Sequence, residues 1–334
     1  TALRLNGVDA VLPENDENLP TTGRRLAYAR HITRNTHPLT ARVFVNRVWM
    51  HLLGRGIVAT PGDFGLSGER PTHPGLLDWL AGDFVGHGWD LKRLVRQILS
   101  SHAYRQSSAR REDLHRVDPE NMLMGRANLK RLDAESVRDS LLVAAGLLNP
   151  QLGGASLPVT ENQEGKTVIG VRKIKDGLKA GVDSGRGDAN RRSLYIQMQR
   201  NKPLKMLATF DLPRMTPNCE IRPQTTVATQ SLWFMNDSQM VDWSERMAES
   251  IDGDLHDAIP WLEDLFVRLF ASLPDKSDKK MCLRYLESQT LQFIEDKDPI
   301  WQDQLSKDPT LARKRALATL CQTLVASNRF LYID

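Results

Sequence analysis

Three cysteines in 334 residues are too few for a disulfide framework. Cys219, Cys282 and Cys321 form no CxxC, no CxxCH and no Cys/His pair at zinc spacing, so no cofactor is expected and c-type haem attachment is excluded. No apolar run reaches the roughly 18 residues needed to cross a bilayer, so no membrane insertion is expected. The sequence also lacks GxSxG, a P-loop, HExxH and a dinucleotide glycine motif, so no local pattern marks a nucleophile or phosphate cradle. Twenty-two glycines and 17 prolines are too scattered for a collagen-like or low-complexity chain. No internal repeat of solenoid period is present.

What remains is 40% hydrophobic and 26% charged, enough apolar material for one large core or two ordinary ones. The net charge of +4 hides a polarity. Residues 1–150 carry +4, residues 151–235 carry +6 and residues 236–334 carry −6. A basic front and middle suit an acidic polymer; equally, the oppositely charged ends suit each other. No block of five or six like charges and no aromatic-interleaved basic motif occurs, so nucleic acid is not the expected partner.

Apolar spacing predicts a mainly α, multi-helical fold: two helical parts joined by a Gly-rich middle with a few short strands. Residues 1–22 read as an extended linker or edge. They include Leu19-Pro20-Thr21-Thr22-Gly23, a sortase-like pattern without the apolar tail and basic end that sorting requires. Residues 23–148 read as an N-terminal helical part, with helices over 23–34, 38–53, 74–85, 91–101 and 133–148. Residues 149–225 are irregular, with candidate strands at 168–171 and 194–198. Residues 226–334 read as a C-terminal helical part packing on the first, with helices over 226–252, 259–272, 277–294 and 309–327. Pro38, Pro74 and Pro260 suit first helical turns and Gly54 suits a helix stop.

The densest polar constellation is Arg42, Asn46, Arg47 and His51 around Trp49. Arg42/Asn46 and Arg47/His51 are four apart and share helical faces. Asp63, in the Gly-flanked loop that follows, is placed to pair with Arg42 or Arg47. Two readings stand side by side: an anion or carbohydrate site made by Arg42, Asn46, Arg47 and Trp49, or an ion-pair network fixing a helix–loop junction. His51, Asp63 and His102 are the catalytic candidates. His73 reads as a helix N-cap. Glu135 and Asp139, four apart, could present two carboxylates together, but Arg131 and Arg138 beside them point to internal salt bridges. Asp183 and Asp188 flank a Gly-rich loop with oxygen ligands at alternate spacing, a weak metal candidate without the twelfth-position Glu of an EF-hand. The seven tryptophans fall mainly in helical patterns and read as core.

The stretch from Pro38 to Arg105, PLTARVFVNRVWMHLLGRGIVATPGDFGLSGERPTHPGLLDWLAGDFVGHGWDLKRLVRQILSSHAYR, carries a resemblance. Further motifs follow in order: Asp118-Pro119-Glu120-Asn121, Arg131-Leu132-Asp133-Ala134-Glu135-Ser136-Val137-Arg138-Asp139, Arg192-Ser193-Leu194-Tyr195, Leu207-Ala208-Thr209-Phe210-Asp211, Ala228-Thr229-Gln230 with Asn236-Asp237, and Ser327-Asn328-Arg329-Phe330-Leu331-Tyr332. Together these resemble the planctomycete-specific PSD domain of unknown function. The resemblance implies a C-terminal part of a large planctomycete protein with cytochrome c-like domains, in a periplasmic or extracellular setting, with the other domains of that parent as partners. The expected function is a non-catalytic interaction or scaffold domain. The alternative is an enzyme or binding domain for an acidic or carbohydrate polymer, built on the Arg/Asn/His/Asp cluster.

Overall fold

The computed structural model describes residues 4–5, 8–9, 18, 20–34, 37–162, 164–175, 178–183, 188–213, 219–250 and 258–333. They are mainly α-helical and divide into two compact units, Thr1–Lys130 and Arg131–Ile333.

In the first unit the strands β1 (Arg4–Leu5) and β2 (Val8–Asp9) pair antiparallel. Five helices follow: α1 (Arg24–Ile32), α2 (Thr40–Leu53), α3 (Pro74–Gly86), α4 (Leu91–Ser100) and α5 (Glu112–Val117). Helix α3 starts at its proline and α4 is capped by Asp90, whose Oδ1 accepts from the Arg93 amide at 3.1 Å. Helices α2, α3 and α4 pack on one another through Val45, Trp49, Leu77, Leu80, Phe84, Leu94 and Ile98. Asp83 receives the Arg93 guanidinium at 3.2 and 3.1 Å, which fixes α3 against α4. After α3 the backbone turns at Trp89, a non-glycine in the left-handed region at φ 63°. The turn lets the Trp89 amide reach the Phe84 carbonyl at 2.9 Å and lays its ring edge-on against Phe84.

The second unit begins beside β3 (Lys130–Arg131) with α6 (Ala134–Ala144), capped by Asp133. Helix α6 packs on α7, α9 and α10, so its contacts belong to the second unit, and the boundary falls between Lys130 and Arg131. It ends at Ala144, four residues earlier than its apolar spacing suggests, with Gly146 turning out at φ 67°.

The Gly-rich middle forms two antiparallel pairs, β4 (Val159–Glu161) with β5 (Thr167–Ile169), and β6 (Val171–Lys175) with β7 (Leu178–Asp183). The strand expected over 194–198 is instead a 3₁₀ turn over Ser193–Tyr195, followed by a single parallel bridge from Ile196 to Leu157.

Helices α7 (Lys205–Thr209), α8 (Ala228–Asn236), α9 (Ser238–Glu249), α10 (Ala258–Phe270), α11 (Lys276–Glu295), α12 (Pro299–Lys307), α13 (Leu311–Val325) and α14 (Asn328–Leu331) follow, then β8 (Tyr332–Ile333). The single helix expected over 226–252 is broken. Asp237 is extended and its Oδ1 accepts from the Gln239 amide, ending α8 and capping α9. Helix α13 lies at the centre, packed against α9 and α11, with Ala316, Leu317, Leu320, Cys321 and Val325 in the core. Its small Ala312 and Ala316 are fully buried. Burial raises the Cys282 and Cys321 thiols to about 11 and about 12, so both are un-ionised core residues at neutral pH, while Cys219 is exposed.

Candidate functional site

Asn46 occupies the centre of the predicted constellation and is fully buried. Its Nδ2 donates to the Val58 carbonyl at 2.9 Å and its Oδ1 accepts from the Val58 amide at 2.8 Å. One side chain therefore satisfies both backbone groups of a buried loop residue, much as a strand partner would. Gly56 makes this approach possible. A Cβ there would lie 2.5 Å from the Val58 carbonyl oxygen and about 3 Å from the Asn46 amide.

The neighbouring residues take separate tasks. Trp49 is buried in the unit's core. Arg42 donates through Nε to Asp78 at 2.7 Å and also bonds the Pro38 carbonyl. Arg47 is exposed and has no partner among the described residues. The His51 carbonyl accepts from Lys130 Nζ. Asp63 pairs with neither Arg42 nor Arg47, which corrects the expected ion pair. Its Oδ1 accepts from the Gly65 amide at 2.7 Å, and its carbonyl accepts from Thr60 Oγ1 at 2.8 Å. A short Asp side chain beside glycine finds its own turn amides before it finds a distant guanidinium.

His102 is exposed just past α4. His73 stands at the N-cap position of α3, but its ring takes no bond from the helix; its Nδ1 lies 2.9 Å from Thr72 Oγ1 instead. The histidine that acts as an N-terminal acceptor is His37. Its Nδ1 accepts from the Leu39 and Thr40 amides, each at 3.3 Å, at the start of α2. Burial and the adjacent His31, whose ring centre is 5.5 Å away, hold the His37 ring below its ordinary pKa of 6.5.

In the second unit the buried charged groups among the described residues are Arg131, Arg138 and Arg191, beside the neutral Ser193, Gln230 and Ser244. Arg138 is 1% exposed. It donates to the Arg191 carbonyl at 3.0 Å, to Ser193 Oγ at 3.1 Å and to the Ala189 carbonyl. Asp139 accepts from the Ser193 amide and hydroxyl at 2.8 and 2.7 Å and sits 3.7 Å from Arg138. Burial lowers the Arg138 guanidinium to about 10, opposed by Asp139, so it stays charged at neutral pH. Arg191 is also buried. It donates to the Gln151 and Gly153 carbonyls and stacks over the Tyr195 ring at 4.0 Å. Arg131 bonds Asp211 at 3.1 Å and the Thr225 carbonyl. Glu135 takes the Arg222 fork at 2.6 and 3.1 Å. Glu135 and Asp139 therefore serve different partners and present no carboxylate pair. Residues 184–187 and the Asp188 side chain lie outside the described residues, so the metal candidate at Asp183 and Asp188 does too. Among the described residues no group of three His, Cys, Asp or Glu side chains is placed to hold a metal ion.

One feature of the second unit was not signalled by any motif. A cleft of about 670 Å³ opens between α9, α12 and α13. Glu245 and Glu249 stand on α9; Lys314 and Arg315 stand on α13. Ala248, Leu311, Leu317 and Ala318 supply apolar surface, and Trp301 comes from α12. Its described lining includes no Ser, Thr, Cys, His or Tyr. The i,i+4 spacing of Glu245 and Glu249 and the triplet Arg313-Lys314-Arg315 are visible in the sequence, but nothing local states that they face one space.

Residues 24–286 match the model of PSD1, a protein family of unknown function (DUF1553). No curated protein and no solved structure matches the chain.

Proposed function

The chain belongs to the PSD1 family, and from that premise we propose that it is a non-catalytic interaction domain of a larger extracytoplasmic planctomycete protein, recognising other domains of its parent. The observation that supports this reading is the cleft of the second unit. It offers opposite charges and apolar surface, as recognition requires. The polar residues of the first unit support it too. Asn46 and Asp63 are spent on backbone amides and carbonyls, and Trp49 on the core.

The test is calorimetric titration of the purified chain with the remaining segments of its parent polypeptide, together with a reducing-end assay on acidic and neutral polysaccharides. The reading expects saturable binding and no product. Polysaccharide turnover lost in His102→Ala, His51→Ala or Asp63→Asn would replace it with the enzyme alternative.

A further inference from the structure

The charges around the cleft are not equivalent. Lys314 is tied to Asp308 at 2.8 Å and Glu249 to Arg246 at 3.0 Å. Glu245 has no hydrogen bond or ion pair among the described residues. Arg315 has none either, yet its guanidinium is held in place. It lies over the Trp301 ring at 4.6 Å and near the Phe293 ring at 5.5 Å. Trp301 is itself fixed, buried and donating its indole N–H to the Phe293 carbonyl. With no N–H bonded to another described residue, that guanidinium keeps its donors for a carboxylate, which it can take in two parallel hydrogen bonds. Ordering that side chain beforehand removes part of the entropy cost of binding.

We propose that this cleft binds an amphipathic zwitterion of the amino-acid or short-peptide class. Its carboxylate would bond Arg315, its ammonium would face Glu245, and its apolar side chains would lie on Ala248, Leu311, Leu317 and Ala318. The volume lies within the range of small-ligand sites, and a lining that combines apolar surface with two opposite uncommitted charges matches a molecule with charged ends and an apolar middle. The proposal rests on the reading of this cleft as a recognition site.

The test is calorimetry on the full chain with leucyl-leucine, N-acetyl-leucyl-leucine, leucyl-leucine amide and free leucine. Saturable one-to-one binding of leucyl-leucine is expected, weakened about tenfold or more by either cap. Arg315→Ala and Glu245→Gln are expected to weaken it similarly, with Lys92→Ala on α4 unchanged. Arg315→Lys, which keeps the charge and loses the fork, should fall between and guards against an unfolded Ala variant, as does an unchanged helical circular dichroism signal. Leucine binding as tightly as leucyl-leucine would assign a free amino acid as the source; much weaker leucine would assign a peptide. Capped and uncapped peptides binding alike, or no peptide or leucine binding at all, would overturn the proposal. If the parent segments still bind in that case, this inference fails alone; if they do not, the interaction reading fails with it.

Discussion

Both units must hold irregular backbone inside a folded core, and they do it with different chemistry. In the first, the Gly56–Val58 turn is fastened by one neutral amide, Asn46, making two bonds to one residue. In the second, the segments 151–153 and 189–193 are fastened by guanidiniums. Arg138 reaches 51 to 55 residues along the chain, and Arg191 gathers carbonyls around Gln151–Gly153. An amide suits a single close approach, because it offers a donor nitrogen and an acceptor oxygen at fixed separation. A guanidinium suits several carbonyls at once, because it offers five donors and no acceptor. The cost differs as well. Asn46 buries no charge, whereas Arg138 buries one that Asp139 only partly offsets.

The comparison is broken most directly at Arg138. Arg138→Ala leaves two carbonyls and the Ser193–Asp139 pair without their cation and should cost about 3–5 kcal/mol. Chemical denaturation of the full chain would measure it, and amide exchange should show the loss centred on residues 189–196. Asn46→Ala strands the Val58 amide and carbonyl and should cost about 2–3 kcal/mol, with exchange rising at residues 57–58. A larger effect at Asn46 than at Arg138 would invert the comparison. Identical shifts everywhere in the exchange maps would show that the units unfold together.

His37 sharpens the first unit further. Its folded pKa lies below 6.5, so as pH falls through 6.5 the unfolded chain takes up a proton that the folded ring refuses. Stability should therefore be flat above that pH and decline below it, down to the depressed folded value. His37→Asn, a non-titrating acceptor at the same helix start, should remove that part of the slope in acid denaturation. The smallest effect is expected at Arg42. Its partner Asp78 is 58% exposed, so Arg42→Ala should cost no more than about 0.5–1 kcal/mol, with most of that erased by high salt.

Local signals placed most of the helices. Pro74 starts α3, Gly54 at φ 84° stops α2, and Asp90 and Asp133 cap the helices that follow them. Each is a property of a few consecutive residues and a 3.6-residue period, so it is visible without a fold. The break at Asp237 was also a local event. It was hidden because apolar spacing continues across it, through Trp233, Phe234, Met240 and Trp243, all buried.

The residues Arg131, Glu135, Arg138 and Asp139 were legible as a group, and salt bridges were legible among them. Which carbonyls they would hold was not. Asp63 shows the converse: a plausible long-range ion pair lost to an amide two residues away.

By itself the sequence determined the helical class, the absence of haem-attachment and membrane-spanning patterns, and membership in a family with ordered motifs. Those follow from residue order alone. Only the tertiary structure decided which polar groups are spent inside and which stand free around a cleft. Arg138 and Arg315 are both arginines on helices, and no local pattern separates them. Burial against a distant backbone made one a clamp, and a place over the Trp301 ring left the other without a hydrogen-bond partner among the described residues.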